Sequence, residues 1–234
     1  MEGADWFGRR PIGLQLHFHD EAQVSVVWNG HRDYRIGLSS VRLHPGQLLV
    51  IPGLRPHVAL PSMDDEVRSV EFYLIPAALS VDAQRRLDNS QFIVIEDSRF
   101  RHVVPPGIEE LALECVTKQL VFSNAAPARP LSTPVKAALR ETVIESDGIS
   151  GAARRFGYTR EGFIRAFARE IGMTPNAYKI NLRLNLGRHL LRNGENISEV
   201  AHGTGFSDQS HFGRAFLKHF GATPAQFRAA HSGY

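Results

Sequence analysis

An α+β chain of two domains is predicted: an N-terminal β-barrel, then an all-α domain with two helix-turn-helix units joined by a long helix. Three observations predict it. Short apolar–polar alternations separated by Gly, Pro and Asn fill the stretch from Ile12 to Phe72, the pattern of a barrel or sandwich. A composite motif near Ala153 returns 48 to 49 residues later, the mark of a duplicated unit. Between the two lies Ser123-Asn-Ala-Ala-Pro-Ala-Arg-Pro130, small, polar and proline-containing as linkers are. The expected division is 1–122, a linker over 123–131, and 132–234.

Bulk composition sets the class. The 234 residues are 43% hydrophobic and 22% charged, ordinary for a globular chain with a real core. No apolar run approaches a membrane span, and the start lacks a signal-peptide pattern, so a cytoplasmic protein without membrane partners is expected. One cysteine, Cys115, cannot form an internal disulfide and fits a reducing compartment. From Pro130 onward there are 14 basic and 8 acidic residues, against 13 and 16 in residues 1–129. Only the C-terminal half therefore suits a polyanionic partner.

In the N-terminal half, Val24–Trp28 meets Asn29-Gly30, a hairpin signal. Tyr34–Ile36, Leu48–Ile51, Val67–Ile75 and Gln91–Ile95 are further strand candidates. His17-x-His19 with Gln23, then Gly46, Pro52 and His57, resembles the two motifs of the cupin family. It departs from them at Gln23, where metal-binding members carry Glu, and at Leu54 and Pro61. Residues two apart on a strand share a face, so His17, His19, Glu21 and Gln23 are expected to point inward, with His57 opposite. That set suits either a ligand pocket or a divalent-metal shell. The expected effector pocket is His17, His19, Gln23, Trp28 and His57, with Arg32, Arg35 and Tyr34 as further lining. No cofactor is expected. If a metal binds, its ligands are His17, His19, Gln23 and His57. Ile108, Leu111, Ala112, Cys115, Val116, Gln119 and Leu120 form one helical stripe, expected to cover the barrel or, preferentially, to pair two subunits.

In the C-terminal half, Thr133-Pro134 opens a helix. Ala153-x3-Gly157-x-Thr159 returns as Ala201-x3-Gly205-x-Ser207. Arg165-x-Phe167-x4-Gly172-x-Thr174-Pro175-x2-Tyr178 returns as Arg214-x-Phe216-x4-Gly221-x-Thr223-Pro224-x2-Phe227. The small Ala permits close helix packing, the Gly suits a tight turn, Thr159 and Ser207 are expected N-caps, and the Phe anchors the second helix. Between the copies Pro175–Arg192 reads as a helix, with Tyr178, Leu182, Leu186 and Leu190 on one stripe and Ile180, Leu184 and Leu191 on another. Asn181, Asn185, Arg188 and Arg192 are expected on a solvated or phosphate-facing side. Eighteen residues reach ~27 Å, close to the ~34 Å between successive major-groove faces.

The paired units, the connecting helix and above all Gly205-Phe-Ser-Asp-Gln-Ser-His-Phe-Gly-Arg-Ala-Phe216 resemble the AraC/XylS-type transcription regulators over about Thr133–Arg228. The resemblance implies a cupin-like effector-binding domain, double-stranded DNA and a small effector as partners, contact with RNA polymerase, a homodimer, and activation of transcription without catalysis. By position it places DNA contacts on Arg160, Glu161, Ile164 and Arg165, and on Gln209, Ser210, His211 and Arg214. The first unit departs from the pattern at Ile164, Gly162 and Ser150-Gly151, so the second is expected to carry more of the specificity. The alternative is a metal-dependent cupin enzyme fused to a DNA-binding domain.

Overall fold

The computed structural model describes residues 2–8, 15–61, 66–74, 79–102, 107–122, 134–145 and 148–231. Two compact units emerge from its contacts: Met1–Gly13 with Phe18–Thr133, and Leu14–His17 with Pro134–Tyr234. The expected linker and the Thr133 cap lie outside the described residues.

The first unit holds two antiparallel sheets. The larger orders β1 (Glu2–Gly8), β7 (Val67–Leu74), β2 (Ala22–Asn29), β5 (Gln47–Ile51) and β8 (Ile93–Glu96); the smaller orders β4 (Ser39–Leu43), β3 (Arg32–Ile36) and β6 (His57–Ala59). Alternation dictates the two faces of the larger sheet. On β2, Ala22, Val24 and Val26 face outward with Leu48, Val50, Val70, Phe72 and Leu74. Against them pack α1 (Val81–Asp88), a 3-10 turn at Ser98–Arg101 through Phe100, and α2 (Ile108–Phe122). The inner face meets the smaller sheet through Val27, Leu49 and Ile51 against Tyr34, Ile36, Leu43 and Ala59.

Two expectations change here. Ile108, Ala112, Cys115, Val116 and Leu120 of α2 are buried on this unit's own sheet, while Gln119 is exposed. The stripe covers the barrel. His17, in an isolated β-bridge, and Phe18 and His19, in irregular backbone, precede β2, so the period-2 geometry of a strand does not govern them.

The second unit contains α3 (Pro134–Glu145), α4 (Ile149–Arg155), α5 (Arg160–Ile171), α6 (Pro175–Arg192), α7 (Ile197–Gly203), α8 (Gln209–Phe220) and α9 (Pro224–His231). Helix α6 starts on Thr174, whose side chain accepts from the Ala177 amide, with Pro175 in the first turn, where its missing N–H costs nothing. It touches α5 of the first helix-turn-helix with the preceding α3, and α7 and α8 of the second with the following α9. Its buried side includes Tyr178, Leu184 and Leu191, but also Asn181, Asn185 and Arg188. The expected solvated face is thus largely internal, whereas Leu186 is half exposed. Asn181 donates back to the Ala177 carbonyl at 3.0 Å, and the Arg188 guanidinium stacks 5.3 Å from the Phe220 ring. Each contact offsets part of the cost of burying a polar head. Gly187 permits a close approach: a Cβ there would stand 2.8 Å from the Phe212 ring. Among the described residues, no helix is long and apolar enough to cross a membrane.

Candidate nucleic-acid interface and barrel interior

Helices α4–α5 and α7–α8 are two copies of one motif. Each first helix ends in a glycine-centred turn, Gly157 at φ 68° and Gly205 at φ 79°, a backbone region that costs other residues a Cβ clash. The Tyr158 amide bonds the Ala153 carbonyl at 3.0 Å, and the Phe206 amide bonds Ala201 at 3.0 Å. Each second helix ends on a left-handed glycine, Gly172 or Gly221, as such ends commonly do.

One of the two caps is what the repeat predicts and the other is not. Thr159 caps α5, accepting from the Gly162 amide at 3.1 Å. In the second copy Asp208, not Ser207, is the cap, accepting from the His211 amide at 2.7 Å. The extra residue of the second copy lies between Gly205 and the cap, so the capping role moves on by one position. These backbone bonds, with the neighbouring Ser207 hydroxyl and Arg214, hold the Asp208 carboxyl below its ordinary pKa, as expected of an anion at a helix start.

Anchoring and reading faces separate cleanly on α8. Phe212 and Phe216 are fully buried within a cluster that includes Leu184, Leu191, Val200 and Phe206. Gln209, Ser210, His211 and Arg214 are all exposed. On α5, Phe163 and Phe167 are fully buried, and Arg160, Glu161 and Arg165 are exposed with Ile164 half-buried. Arg160 and Glu161 lie 3.5 Å apart as an ion pair, so the first reader partly neutralises its own leading charge. Sequence reasoning missed Arg183 on α6, which donates to the Gly205 carbonyl at 3.2 Å and braces the second turn. A contact so distant in sequence leaves no local signal.

The barrel interior gathers His19, Gln23 and His57. Both imidazole Nε2 atoms lie 3.0 Å from Gln23 Oε1, and the rings meet edge-on with centroids 4.9 Å apart. Each Nδ1 is 2.7 Å from a carbonyl oxygen, that of Glu21 for His19 and of Arg55 for His57. A carbonyl only accepts, so each Nδ1 carries a proton, and a ring without a second proton turns an Nε2 lone pair towards Gln23. Burial, with His19 adding to it against the Arg55 carbonyl, pulls the His57 pKa down to about 3, which keeps that ring neutral near pH 7. With both rings neutral, two arrangements reconcile these acceptors: a Gln23 amide turned to donate to both rings, or a cation where the three lone pairs converge. The donor set therefore fits a divalent ion held by His19, His57 and the amide oxygen.

His17 belongs with the second unit, its Nδ1 2.7 Å from the Gln15 carbonyl and its ring edge-on to Phe220 at 6.3 Å. Trp28 packs against the outer apolar cluster, away from Gln23. A second interior group is built by Arg32, Tyr34, Ser69 and Glu71. Arg32 donates to Ser69 at 3.0 Å and pairs with Glu71 at 3.3 Å; the Tyr34 hydroxyl donates to Glu71 at 2.8 Å. Burial raises the Tyr34 pKa above its ordinary value. Its legible trace is Ser69, Glu71 and Tyr73 alternating with Val70, Phe72 and Leu74 on β7.

The comparisons agree with these two units. Residues 152–230 match a family model described as "Helix-turn-helix domain". The chain is 34% identical over 83 residues to the HTH-type transcriptional activator RhaS of Escherichia coli (strain SE11), a match covering 35% of this chain and 30% of that protein. It thus spans about a third of the length of the curated relatives it matches. Among solved structures it resembles unsaturated fatty acid-bound ToxT from Vibrio cholerae strain SCE256, with a TM-score of 0.58 at 12% identity, covering 100% of this chain and 95% of that one. ToxT from Vibrio cholerae O395 gives a TM-score of 0.55 at 12% identity, covering 100% and 97%. At that identity the likeness speaks to the fold: a sheet-rich domain followed by a helical one.

Proposed function

We propose that this chain, whose duplicated helix-turn-helix domain is of the AraC/XylS type, is a DNA-binding transcription regulator under the control of a small effector held in its barrel. One observation carries the DNA reading. The chain presents two capped helices, each locked by a pair of buried phenylalanines and each turning a polar face outward. Such faces supply base-edge and phosphate contacts. The proposed contacts are Arg160, Glu161, Ile164 and Arg165 on α5, and Gln209, Ser210, His211 and Arg214 on α8. The two helices engage successive major-groove segments, and α6 sets their separation.

Activation by contact with RNA polymerase and action as a homodimer are what the AraC/XylS-type resemblance implies. The chain acts in this reading by binding and not by catalysis, in the cytoplasm. The effector reading is supported by a barrel whose inner face carries His19, Gln23 and His57 next to Arg32, Tyr34 and Glu71. The unsaturated fatty acid bound by the ToxT neighbour makes a carboxylate lipid one class to screen. The decisive experiment selects bound sites from genomic DNA with the purified full chain. It then titrates one of them against salt, where log affinity should fall linearly with log salt concentration. Recovery of no preferred sequence would overturn the reading.

A second reading, a metal-dependent cupin enzyme fused to the DNA-binding domain, is favoured by one observation: the convergence of His19, His57 and Gln23 lone pairs. A bound divalent ion would supply Lewis acidity at that point. Metal content at unit stoichiometry, lost in His57→Ala, would support it; absence of metal after growth in supplemented medium would sink it.

A further inference from the structure

Resting on the DNA reading above, we infer that His211 meets DNA as a hydrogen-bond acceptor. It thereby selects a base that offers an exocyclic amine in the major groove, adenine through N6 or cytosine through N4, over guanine.

The argument is a count of protons along three side chains. Asp208 caps α8 through Oδ1, which accepts from the His211 amide at 2.7 Å. Its other oxygen, Oδ2, lies 3.0 Å from the Ser207 hydroxyl, which donates to it. The carboxylate is ionised, held so by these same bonds, so it only accepts. Ser207 has one hydroxyl proton and has committed it to Asp208. Ser207 Oγ is also 3.1 Å from His211 Nδ1, and with its proton committed it can only accept there. Nδ1 of the neutral ring must therefore carry the imidazole proton. That fixes the tautomer: Nε2 presents a lone pair, in the way a second partner commonly sets a histidine's role.

The ring is also held in place. It stands edge-on to Phe206 with centroids 5.2 Å apart, and Phe206 is itself buried. His211 is exposed, and Nε2 has no hydrogen-bond partner among the described residues. An outward acceptor on a reader helix complements an amine on a base edge and opposes guanine, which offers only N7 and O6 acceptors there. The residue 49 positions earlier, at the same place on α5, is Gly162, so this device exists only in the second unit.

Two measurements test it. In the free protein, long-range proton–nitrogen NMR on selectively labelled histidine, at a pH where the ring is neutral, should show His211 with Nδ1 protonated and Nε2 bare. Ser207→Ala should move the ring towards the opposite or a mixed tautomer, and Ser207→Thr, which keeps the hydroxyl, should not. In site selection with the full chain, the position whose preference disappears in His211→Ala should favour adenine or cytosine over guanine by roughly fivefold to tenfold in wild type. Ser207→Ala should reduce that ratio to about twofold or less, and Ser207→Thr should restore it. A bare Nδ1 in the free protein overturns the inference while leaving the DNA reading intact. So does guanine preferred at that position, no position responding to His211→Ala, or a ratio unchanged in a folded Ser207→Ala. Failure to select any sequence removes the DNA reading, and the inference with it.

Discussion

The two helix-turn-helix units share one plan and differ in how firmly their turns are held. In the second, Phe206 follows the turn glycine and is buried, while Arg183 reaches across from α6 to the Gly205 carbonyl. In the first, Tyr158 stands in the place of Phe206 and is half exposed, and nothing lies within 4 Å of where a Cβ on Gly157 would be. Their reading faces differ as well: one opens on a self-neutralising Arg160–Glu161 pair, the other on Gln209, Ser210 and His211. A duplicated motif fixes the backbone plan, and contacts from outside the motif decide how rigidly each copy presents its side chains.

The largest expected consequence concerns DNA. Arg214→Ala should weaken operator binding by about 1–3 kcal/mol, and Arg165→Ala should cost clearly less, both read by titration at fixed salt. Equal losses would erase the proposed hierarchy of the units. Next comes Gly187→Ala, which forces a methyl to within 2.8 Å of the Phe212 ring. Overpacking of this kind costs about 2 kcal/mol; thermal unfolding should show it, together with weaker DNA binding through α8. Thr159→Ala removes the first reader's cap and should cost about 1 kcal/mol of stability, with hydrogen exchange rising along α5 and not along α8. Arg183→Ala breaks one exposed charge-assisted bond and should cost only about 0.5 kcal/mol; faster amide exchange around Gly205 would report the loosened turn.

The smallest effect is one of pH. His219 on α8 is buried, and that burial, against a bond to the Ala215 carbonyl, lowers its pKa. The unfolded chain then takes up a proton that the folded chain refuses. Stability is complete above the ordinary histidine pKa and is lost as pH falls through it towards the depressed value. The matching residue on α5 is Glu170, so acid should loosen the second unit first, and His219→Gln should flatten that slope in pH-dependent melts.

Much of this was legible in the chain itself. The turn glycines, Phe167 and Phe216, the Thr174-Pro175 start and the outward Arg214 all follow from local rules of turn, cap and period. What escaped depends on partners far away in sequence. Asn181, Asn185 and Arg188 read as a polar face of α6, yet they are buried because α6 is enclosed by both units, where Asn181 bonds the Ala177 carbonyl and Arg188 lies over the Phe220 ring. Trp28 looked inward until the strand's pleat placed it with the outer cluster. Ser207 matched Thr159 by motif, but an added residue handed the cap to Asp208. His19 and His57 did come together at Gln23, because two motifs at strand ends fold to one interior point. The Arg32–Glu71 group spans β3 and β7, and only the pairing of sheets reveals it.

That added residue has one more consequence. The turn glycines are 48 positions apart and the caps 49, so the two readers leave their turns along different paths and carry different chemistry at the tip. Under the proposed function, a single chain then reads two unlike half-sites in a fixed order, and its footprint has a head and a tail. Such a site works like an arrow drawn on the promoter. Reversing it in place, with every base retained, should uncouple binding from transcription.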